Sequence, residues 1–247
     1  MATPRFFSSF ENDDQKILLD DPDEFQHLSR VLRLRKGDEV ELVNGKGALA
    51  TGVVDQLGVT SAVIACRDIQ VVPPVDMLRL TIACAIPKRA KFESIIEKCT
   101  ELGVTRIIPL LSERTEVVAD LRRNEKKADR FARVVINAAK QAKILHFPAV
   151  SEPLSFSMAL HLLIRQHVKI LIPWLEGERI PVARALAGIG ACREVAFFIG
   201  PEGDFTSKEI RMAVDAGAVP VSLGDTVLKV DTAAIAVSAF ARLSSLL

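Results

Sequence analysis

Two short glycine loops contain the residue types that let a protein backbone approach a small ligand. Gly200-Pro201-Glu202-Gly203 follows the apolar residues 195–199, and Gly224-Asp225 follows residues 220–223. Because glycine has no side chain, neighbouring peptide groups can come within hydrogen-bonding distance of a ligand, and Glu202 adds a possible proton acceptor. A lone Gly-Pro-Glu-Gly sequence is equally consistent with a simple tight turn.

Both loops lie in a strand–loop–helix pattern. The uninterrupted apolar run at residues 195–199 predicts a strand that is buried on both faces. Thr206 and Glu209 have the spacing of a capping box and predict a helix directly after the first loop. Residues 220–223 predict a second strand. Two such units in tandem are typical of the carboxyl edge of a parallel sheet, where α/β proteins bind ligands.

An apolar segment follows the second loop. Asp231 or Thr232 is predicted to cap a helix that continues towards the C-terminus. Residues 233–240 are apolar on nearly every side of this helix, which is more than one buried face requires. The segment is therefore either an internal core helix or a helix that packs against a second copy of the chain.

The same alternation extends over residues 77–247. Strands are predicted at residues 78–85, 106–111 and 168–172, and apolar residues recur at helical spacing between them, which predicts a parallel sheet covered by helices. The first strand is not followed by Gly-x-Gly-x-x-Gly, and no glycine-rich loop ends in Gly-Lys-Ser/Thr. These absences argue against a Rossmann nucleotide domain and against an NTPase.

The amino-terminal region has a different pattern. Residues 39–43 alternate polar and apolar side chains, and glycine-separated β-prone runs follow, which predicts a small β-barrel. Ahead of it, a predicted helix-to-turn segment carries basic side chains: His27, Arg30, Arg33, Arg35 and Lys36. Such a run is either a solvated face or, beside a small barrel, a surface for RNA. Paired prolines at residues 73–74 predict a linker.

The composition excludes several classes of protein. The chain has 247 residues, of which 49% are hydrophobic, and its net charge of +1 means that nucleic-acid binding requires local basic patches. The cysteines lack the spacing of metal ligands and are predicted to be reduced core thiols of a cytoplasmic protein: Cys66, Cys84, Cys99 and Cys192. We expect no signal peptide and no membrane span.

Three stretches resemble the signatures of the RsmE family of 16S ribosomal RNA uridine-N3 methyltransferases, which belongs to the SPOUT superfamily. IGPEGDFTSKEI and SLGDTVLKVDTAAIAVSA are similar to the two carboxyl-terminal signatures. HLSRVLRLRKGD is similar to the amino-terminal signature, and further matches near Pro87, Thr100 and Pro109 follow in family order. The resemblance therefore covers both parts of the chain.

The chain departs from the family pattern at a few positions. Lys229 replaces an arginine, Asp231 replaces a glutamate, and Asp204 stands where glycine is usual. Lys140-Gln141-Ala142-Lys143-Ile144 stands where most members have an E-Q-S-x-R run. Lysine cannot reproduce the two-pronged hydrogen bonding of arginine, so the departure at Lys229 bears directly on catalysis.

The resemblance implies an α/β fold with a SPOUT-type parallel sheet and a C-terminal deep trefoil knot, plus a small N-terminal PUA-like β-barrel domain. It implies an RNA-binding domain over residues 1–72 and a methyltransferase domain over residues 77–247. The implied activity is S-adenosylmethionine-dependent methylation of N3 of a uridine in 16S rRNA of the small ribosomal subunit. The implied protein is a cytoplasmic homodimer that uses no metal and binds neither membrane nor DNA.

The resemblance and the chemistry of the loops together assign candidate site residues. Glu202 and Lys229 are the predicted catalytic residues, because the N3 proton must leave and the uridine anion needs stabilisation. The predicted donor-binding residues supply apolar walls and peptide groups: Ile172, Pro173, Trp174, Ile199, Gly200, Glu202, Gly203, Leu223, Gly224, Val227 and Leu228. The predicted RNA-binding residues are basic: Arg5, His27, Arg30, Arg33, Arg35, Lys88, Arg89 and Lys91.

Two other functions remain open at this level: a non-catalytic RNA-binding protein on a SPOUT scaffold, and a SPOUT methyltransferase that acts on a different RNA position. Both glycine loops are retained, which favours an enzyme because RNA binding alone does not need them. Glu202 either accepts the proton or only braces its turn, and Asp231 is expected mainly to cap its helix.

Overall fold

The computed structural model describes residues 3–74, 78–87, 92–115, 125–189 and 193–244. The chain divides into two compact units, one formed by Met1–Val75 with Ala139–Phe147 and the other by Asp76–Ala138 with Pro148–Leu247. The small segment Ala139–Phe147 in the first unit is a feature that the sequence pattern did not indicate.

The first unit is built on one five-stranded sheet with the order β1-β3-β4-β5-β2. Its strands are β1 (Arg5–Phe7), β2 (Lys16–Leu19), β3 (Glu39–Val43), β4 (Ala48–Leu57) and β5 (Ala62–Val71). β1 runs parallel to β3, and the other pairs are antiparallel. Helix α1 (Pro22–Gln26) and a π-helical turn (His27–Val31) lie between β2 and β3 in the sequence.

Register shifts in β4 bend this sheet. They lie between Thr51 and Gly52 and between Val54 and Gln56. A side chain at Gly52 would collide with the carbonyl oxygen of Ala65, so the close approach of β5 requires glycine there. The predicted small barrel is therefore a curled half-barrel sheet in which β1 and β2 are the edge strands.

Residues from Ala139–Phe147 pack within this unit. Lys140 forms an ion pair with the buried Glu24. The Phe147 ring lies against Phe7, with 5.7 Å between ring centroids, and the Phe147 N–H donates to the Gly45 carbonyl at 2.9 Å. These contacts explain why a segment distant in sequence belongs to the amino-terminal unit.

The second unit is an eight-stranded sheet in which every strand pair is parallel, as the sequence predicts. Its strands are β6 (Arg79–Ala85), β7 (Arg106–Leu111), β8 (Ala149–Val150), β9 (Leu154–Ser155), β10 (Lys169–Pro173), β11 (Ile180–Pro181), β12 (Glu194–Ile199) and β13 (Val219–Ser222). Its helices are α2 (Phe92–Glu101), α3 (Glu125–Ala142), α4 (Phe156–Arg165), α5 (Val182–Ala187), α6 (Ser207–Asp215) and α7 (Val230–Ser244). The last residues of α3, from Ala139 onwards, belong to the first unit. The order is β11-β13-β10-β12-β6-β7-β8, and β9 also pairs with β7.

Apolar packing surrounds the central strands on both faces. Ile82, Phe197 and Phe198 are fully buried, as expected for parallel strands covered by helices. Phe156 meets the edges of Phe198 and Phe205, with ring centroids 5.3 and 5.0 Å apart. This aromatic cluster supports the strand that leads into the first glycine loop.

Helix α7 begins two or three residues earlier than predicted. It starts at Val230, so Asp231 lies in its first turn, and neither Asp231 nor Thr232 precedes the helix as a cap. The Asp231 carboxylate instead accepts a hydrogen bond from the Thr232 N–H at 2.9 Å. Near the other end, the Arg242 guanidinium donates to the carbonyls of Leu102 and Gly103, which satisfies backbone groups at the end of α2.

Cys84 and Cys99 are buried free thiols of this core, as predicted, whereas Cys66 in the first unit is half-buried. Burial raises the pKa of Cys84 well above its usual range and that of Cys99 to about 11, so both remain protonated at neutral pH. Cys192 lies outside the described residues. Within the described ranges, none of the helices has the length and apolar character of a membrane span.

Candidate active site

A cleft lies where β10, β12 and β13 end. It holds about 920 Å³ of empty space, a volume that includes space open to solvent. Its lining residues are Pro173, Trp174, Leu175, Arg179, Ile199, Gly200, Pro201, Glu202, Asp204, Ser222, Leu223, Gly224, Thr226, Val227, Leu228, Lys229, Val230 and Ala233. β10 pairs with both β12 and β13, so the loops after these strands meet at one edge of the sheet.

Hydrogen bonds join the three loops. The Trp174 N–H donates to the Val221 carbonyl at 3.1 Å, which ties the end of β10 to β13. The Asp204 carboxylate accepts from the Leu175 N–H at 3.2 Å and from the Phe205 N–H at 2.7 Å. The Asp204 side chain therefore connects the loop after β12 to the loop after β10.

Tight turns shape the wall of the cleft next to Trp174. Gly177 has a φ of +69° and lies so close to the Trp174 ring that a side chain there would collide with it. Arg179 donates to the Leu175 carbonyl at 2.7 Å across the same turn. Trp174, the single tryptophan of the chain, therefore lines the cleft with its ring packed against Gly177.

Most of the predicted donor-binding residues line this cleft: Pro173, Trp174, Ile199, Gly200, Glu202, Leu223, Gly224, Val227 and Leu228. Ile172 does not, because its side chain points into the core and is fully buried. Gly203 is also absent from the lining, and its carbonyl accepts a hydrogen bond from Arg114. The donor-binding role of the lining residues stays a prediction.

Sequence reasoning missed several lining residues. Leu175 and Arg179 belong to the turn around Gly177, and this glycine shortly after a predicted strand is the sequence signal that could have indicated the turn. Asp204 was noted only as a departure from the family pattern, although it lines the cleft.

Glu202 and Lys229, the predicted catalytic residues, both line the cleft and both are exposed. The capping box predicted after the first loop is present: the Thr206 hydroxyl accepts from the Glu209 N–H at 3.2 Å, and the Glu209 carboxylate accepts from the Thr206 N–H at 2.9 Å. The buried Glu209 carboxylate also accepts from the Glu113 N–H at 2.9 Å. A carboxylate other than Glu202 therefore braces this loop.

A basic surface lies on the π-helical turn of the first unit and on the residues that follow this turn. Leu28 is fully buried and Leu34 packs against the same core, whereas Arg30, Arg33 and Arg35 are exposed between and beside them. Val31 and Leu32 are exposed as well, with 63% and 40% of their surfaces accessible. We call Arg30, Arg33 and Arg35 the arginine surface.

The other predicted RNA-binding residues differ from this group. Arg5 is half-buried and pairs with Glu41 at 2.8 Å, so part of its guanidinium is already engaged. His27 is exposed but packs its ring edge near Phe6, with centroids 5.9 Å apart. Lys88, Arg89 and Lys91 lie outside the described residues. Among the described side chains there is no cluster suited to a metal ion.

Family comparisons agree with this geometry. Residues 74–242 match the RNA methyltransferase domain family, and residues 19–59 match the RNA methyltransferase PUA domain family. The first match covers more than half of the chain, so the chain has an RNA methyltransferase domain together with an N-terminal PUA domain.

Individual relatives are more specific. The chain is 33% identical to the ribosomal RNA small subunit methyltransferase E of Mycobacterium bovis, over 99% of this chain and 94% of the relative. A Neisseria gonorrhoeae protein of the same name, solved with bound S-adenosylmethionine, has a TM-score of 0.81 and 28% identity over 98% of both chains. A Legionella pneumophila methyltransferase solved with the same cofactor has a TM-score of 0.83 and 28% identity over 99% of this chain and 98% of that one. The chain belongs to the ribosomal RNA small subunit methyltransferase E family, which confirms the resemblance seen in its sequence.

Proposed function

We propose that this protein transfers the methyl group of S-adenosylmethionine to N3 of a uridine in 16S ribosomal RNA. The observation that carries the proposal is the cleft formed by the loops after β10, β12 and β13, in a chain whose relatives of the same fold bind this donor. The substrate is a large RNA of the small ribosomal subunit, so we place the activity in the cytoplasm.

The residues of the cleft suit the donor. Ile199, Leu223 and Leu228 provide apolar surface for an adenine ring, and the glycines at 200 and 224 let the backbone approach a ligand closely. These features are physical reasons for binding that are independent of the family match.

The acceptor atom requires proton removal. N3 lies on the Watson–Crick edge of uracil and carries a proton at neutral pH, so the base must be unpaired and the proton must leave as the methyl group arrives. We propose that Glu202 accepts this proton and that Lys229 stabilises the negative charge on a uracil oxygen. Both side chains reach the cleft from different loops.

The test of the function is the identity of the methylated nucleoside. Purified protein is incubated with labelled S-adenosylmethionine and 30S subunits from a strain that lacks the modification, and the RNA is then digested to nucleosides. We expect the label in N3-methyluridine. Label in a ribose methyl group or on another base contradicts the substrate assignment, and absence of transfer with retained RNA binding favours a non-catalytic RNA-binding protein.

We propose that the arginine surface binds RNA phosphates. Arg30→Ala/Arg33→Ala is expected to weaken RNA binding and to lower the slope of log affinity against log salt by about two, because two phosphate contacts are lost. Filter binding at several salt concentrations measures both quantities. Donor affinity should not change, because these residues belong to the other compact unit.

A matched control removes the same charge from the same unit. Lys16 and Arg67 are exposed and pair with Asp55 and Glu39 at 3.0 and 2.7 Å. Lys16→Ala/Arg67→Ala should leave the salt slope unchanged. An equal loss of RNA affinity in both double variants would show a general charge effect and would contradict a specific arginine surface.

We propose that the protein is a homodimer that pairs through α7. One face of this helix buries Ala234, Val237 and Ala241 in the core, while Phe240 and Leu243 remain 38% and 63% exposed. An exposed apolar face next to a fully packed one is suited to contact with a second copy of the chain.

The deep trefoil knot implied by the resemblance is a further proposal. It is consistent with the return of the chain from β13 to pack α7 against α2, and an experimental backbone trace without a threaded α7 would contradict it.

Phe240→Glu/Leu243→Glu is expected to convert the dimer to a monomer, because charges would be buried at the contact. Light scattering at micromolar concentration should give twice the 27.0 kDa chain mass for the wild type and the single mass for the variant. Val59→Glu, at an apolar position that is 94% exposed in the first unit, is the control and should remain dimeric. A monomeric wild type would refute the dimer.

A further inference from the structure

Asp204 has a strained backbone at the edge of the cleft. Its φ is +59°, in the left-handed region that glycine adopts without cost and that other residues enter only with strain. Aspartate tolerates this region better than most residues, but glycine is still the residue that the conformation favours. A strained position beside a ligand cleft calls for a compensating role of the side chain.

The side chain makes contacts that a glycine would lack. One carboxylate oxygen accepts from the Leu175 N–H at 3.2 Å, and the other accepts from the Phe205 N–H at 2.7 Å. Leu175 follows β10, whereas Phe205 follows β12. The carboxylate therefore bridges the loops that form two walls of the cleft, and we call this pair of hydrogen bonds the Asp204 bridge.

Gly200 completes the arrangement. A Cβ atom added at Gly200 would lie 3.0 Å from the Asp204 Oδ1 atom. The carboxylate therefore lies close to the first glycine of the loop, and two backbone N–H groups hold its position. The Asp204 N–H also donates to the Pro201 carbonyl at 2.9 Å, which closes the turn on itself.

We propose that Asp204 is a positioning residue that holds the loop after β10 against the loop after β12 and so keeps the donor cleft formed before the donor arrives. This inference rests on the proposed function, because it assigns the cleft to S-adenosylmethionine. If only a fraction of the protein molecules have the cleft formed, the apparent dissociation constant of the ligand rises by the inverse of that fraction. Loss of the Asp204 bridge therefore lowers affinity without removing a contact to the RNA.

The charges around Asp204 define how the bridge responds to pH. Burial raises the pKa of Asp204 above its ordinary value, against opposing contributions from the Phe205 and Leu175 N–H groups and from Arg114, while Glu176 raises it further. Arg179, Glu202 and Lys229 are the other charged residues lining the cleft. Protonation leaves one unprotonated acceptor oxygen, so donor affinity should fall as pH falls through this raised pKa. Because the folded-state pKa is raised, the same protonation favours the folded state, and stability should not fall with affinity.

The experiment compares Asp204→Gly and Asp204→Asn with the wild type. Asp204→Gly relieves the backbone strain and removes both hydrogen bonds. We expect its dissociation constant for S-adenosylmethionine, read from Trp174 fluorescence or calorimetry, to rise about tenfold, with no decrease in thermal midpoint. Asp204→Asn keeps one acceptor oxygen and should show a smaller loss of affinity that no longer varies across mildly acidic pH.

Lys143→Gly is the matched control, because Lys143 has a φ of +58° and belongs to the first unit. It should relieve strain equally and leave donor affinity unchanged. Amide hydrogen exchange tests the Asp204 bridge in the absence of donor. We expect the Leu175 and Phe205 amides to exchange faster in Asp204→Gly than in the wild type.

The outcomes separate the two proposals. Wild-type donor affinity in Asp204→Gly overturns the positioning role, and unchanged amide exchange overturns the bridge itself. A wild-type protein that binds no donor refutes the proposed function and with it the role of Asp204 in donor binding, while faster exchange in the variant would still establish the bridge.

Discussion

Gly200→Val is expected to weaken binding of S-adenosylmethionine by about a hundredfold, which corresponds to about 2.7 kcal/mol. A Cβ atom at this position would lie 3.0 Å from the Asp204 Oδ1 atom and 3.3 Å from the Phe205 nitrogen. Neither neighbour can move freely, because the two are hydrogen-bonded to each other at 2.7 Å. The γ carbons of valine would add bulk in the tight turn beside the cleft. Calorimetric titration measures the loss directly.

Gly188→Val is the control for this substitution. Gly188 ends α5, and an added Cβ atom would make only ordinary contacts, the nearest at 3.5 Å from the Arg184 carbonyl oxygen. This variant should bind the donor like the wild type. A folded Gly200→Val protein with wild-type donor affinity would contradict the assignment of the cleft.

Glu202→Gln is expected to lower kcat for RNA methylation by about two to four orders of magnitude, the usual range for loss of a general base. Glutamine keeps the size of the side chain but cannot take the N3 proton. Donor and RNA affinities should stay within about twofold of wild type, because the chemical step is the one affected. Single-turnover transfer of labelled methyl groups to 30S subunits measures the rate. The remaining rate should rise with pH, since only uridine that solvent has already deprotonated can react.

Glu178→Gln controls for the loss of a negative charge near the cleft. Glu178 is exposed on the turn after β10 and does not line the cleft. Its variant should keep the wild-type rate. Full turnover by Glu202→Gln would remove Glu202 as the proton acceptor and leave it with a role in its turn. Glu209 braces this loop in both the wild type and the variant, so the variant tests the loss of the Glu202 carboxylate with that support intact.

The amino-acid sequence alone determined the local elements around the site. The apolar run at residues 195–199 is a strand, and the Thr206–Glu209 capping box starts a helix, because both depend on neighbouring residues. The family was also evident from short signatures. The alternation of strands and helices was sufficient to predict a parallel sheet, since a parallel connection needs a crossover of this length.

Only the tertiary structure decided which loops meet. The consecutive strands β12 and β13 are not neighbours in the sheet. β10 lies between them, and this places the turn around Gly177 in the wall of the cleft. Strand order is set by long-range packing of faces that are all apolar, so no local pattern specifies it. The same reason explains Ile172, whose apolar side chain suited either the cleft or the core and is buried in the core. Asp204 was visible in the sequence as a departure from the family pattern, but its partner Leu175 is 29 residues away, and only folding brings the two loops within reach of one carboxylate.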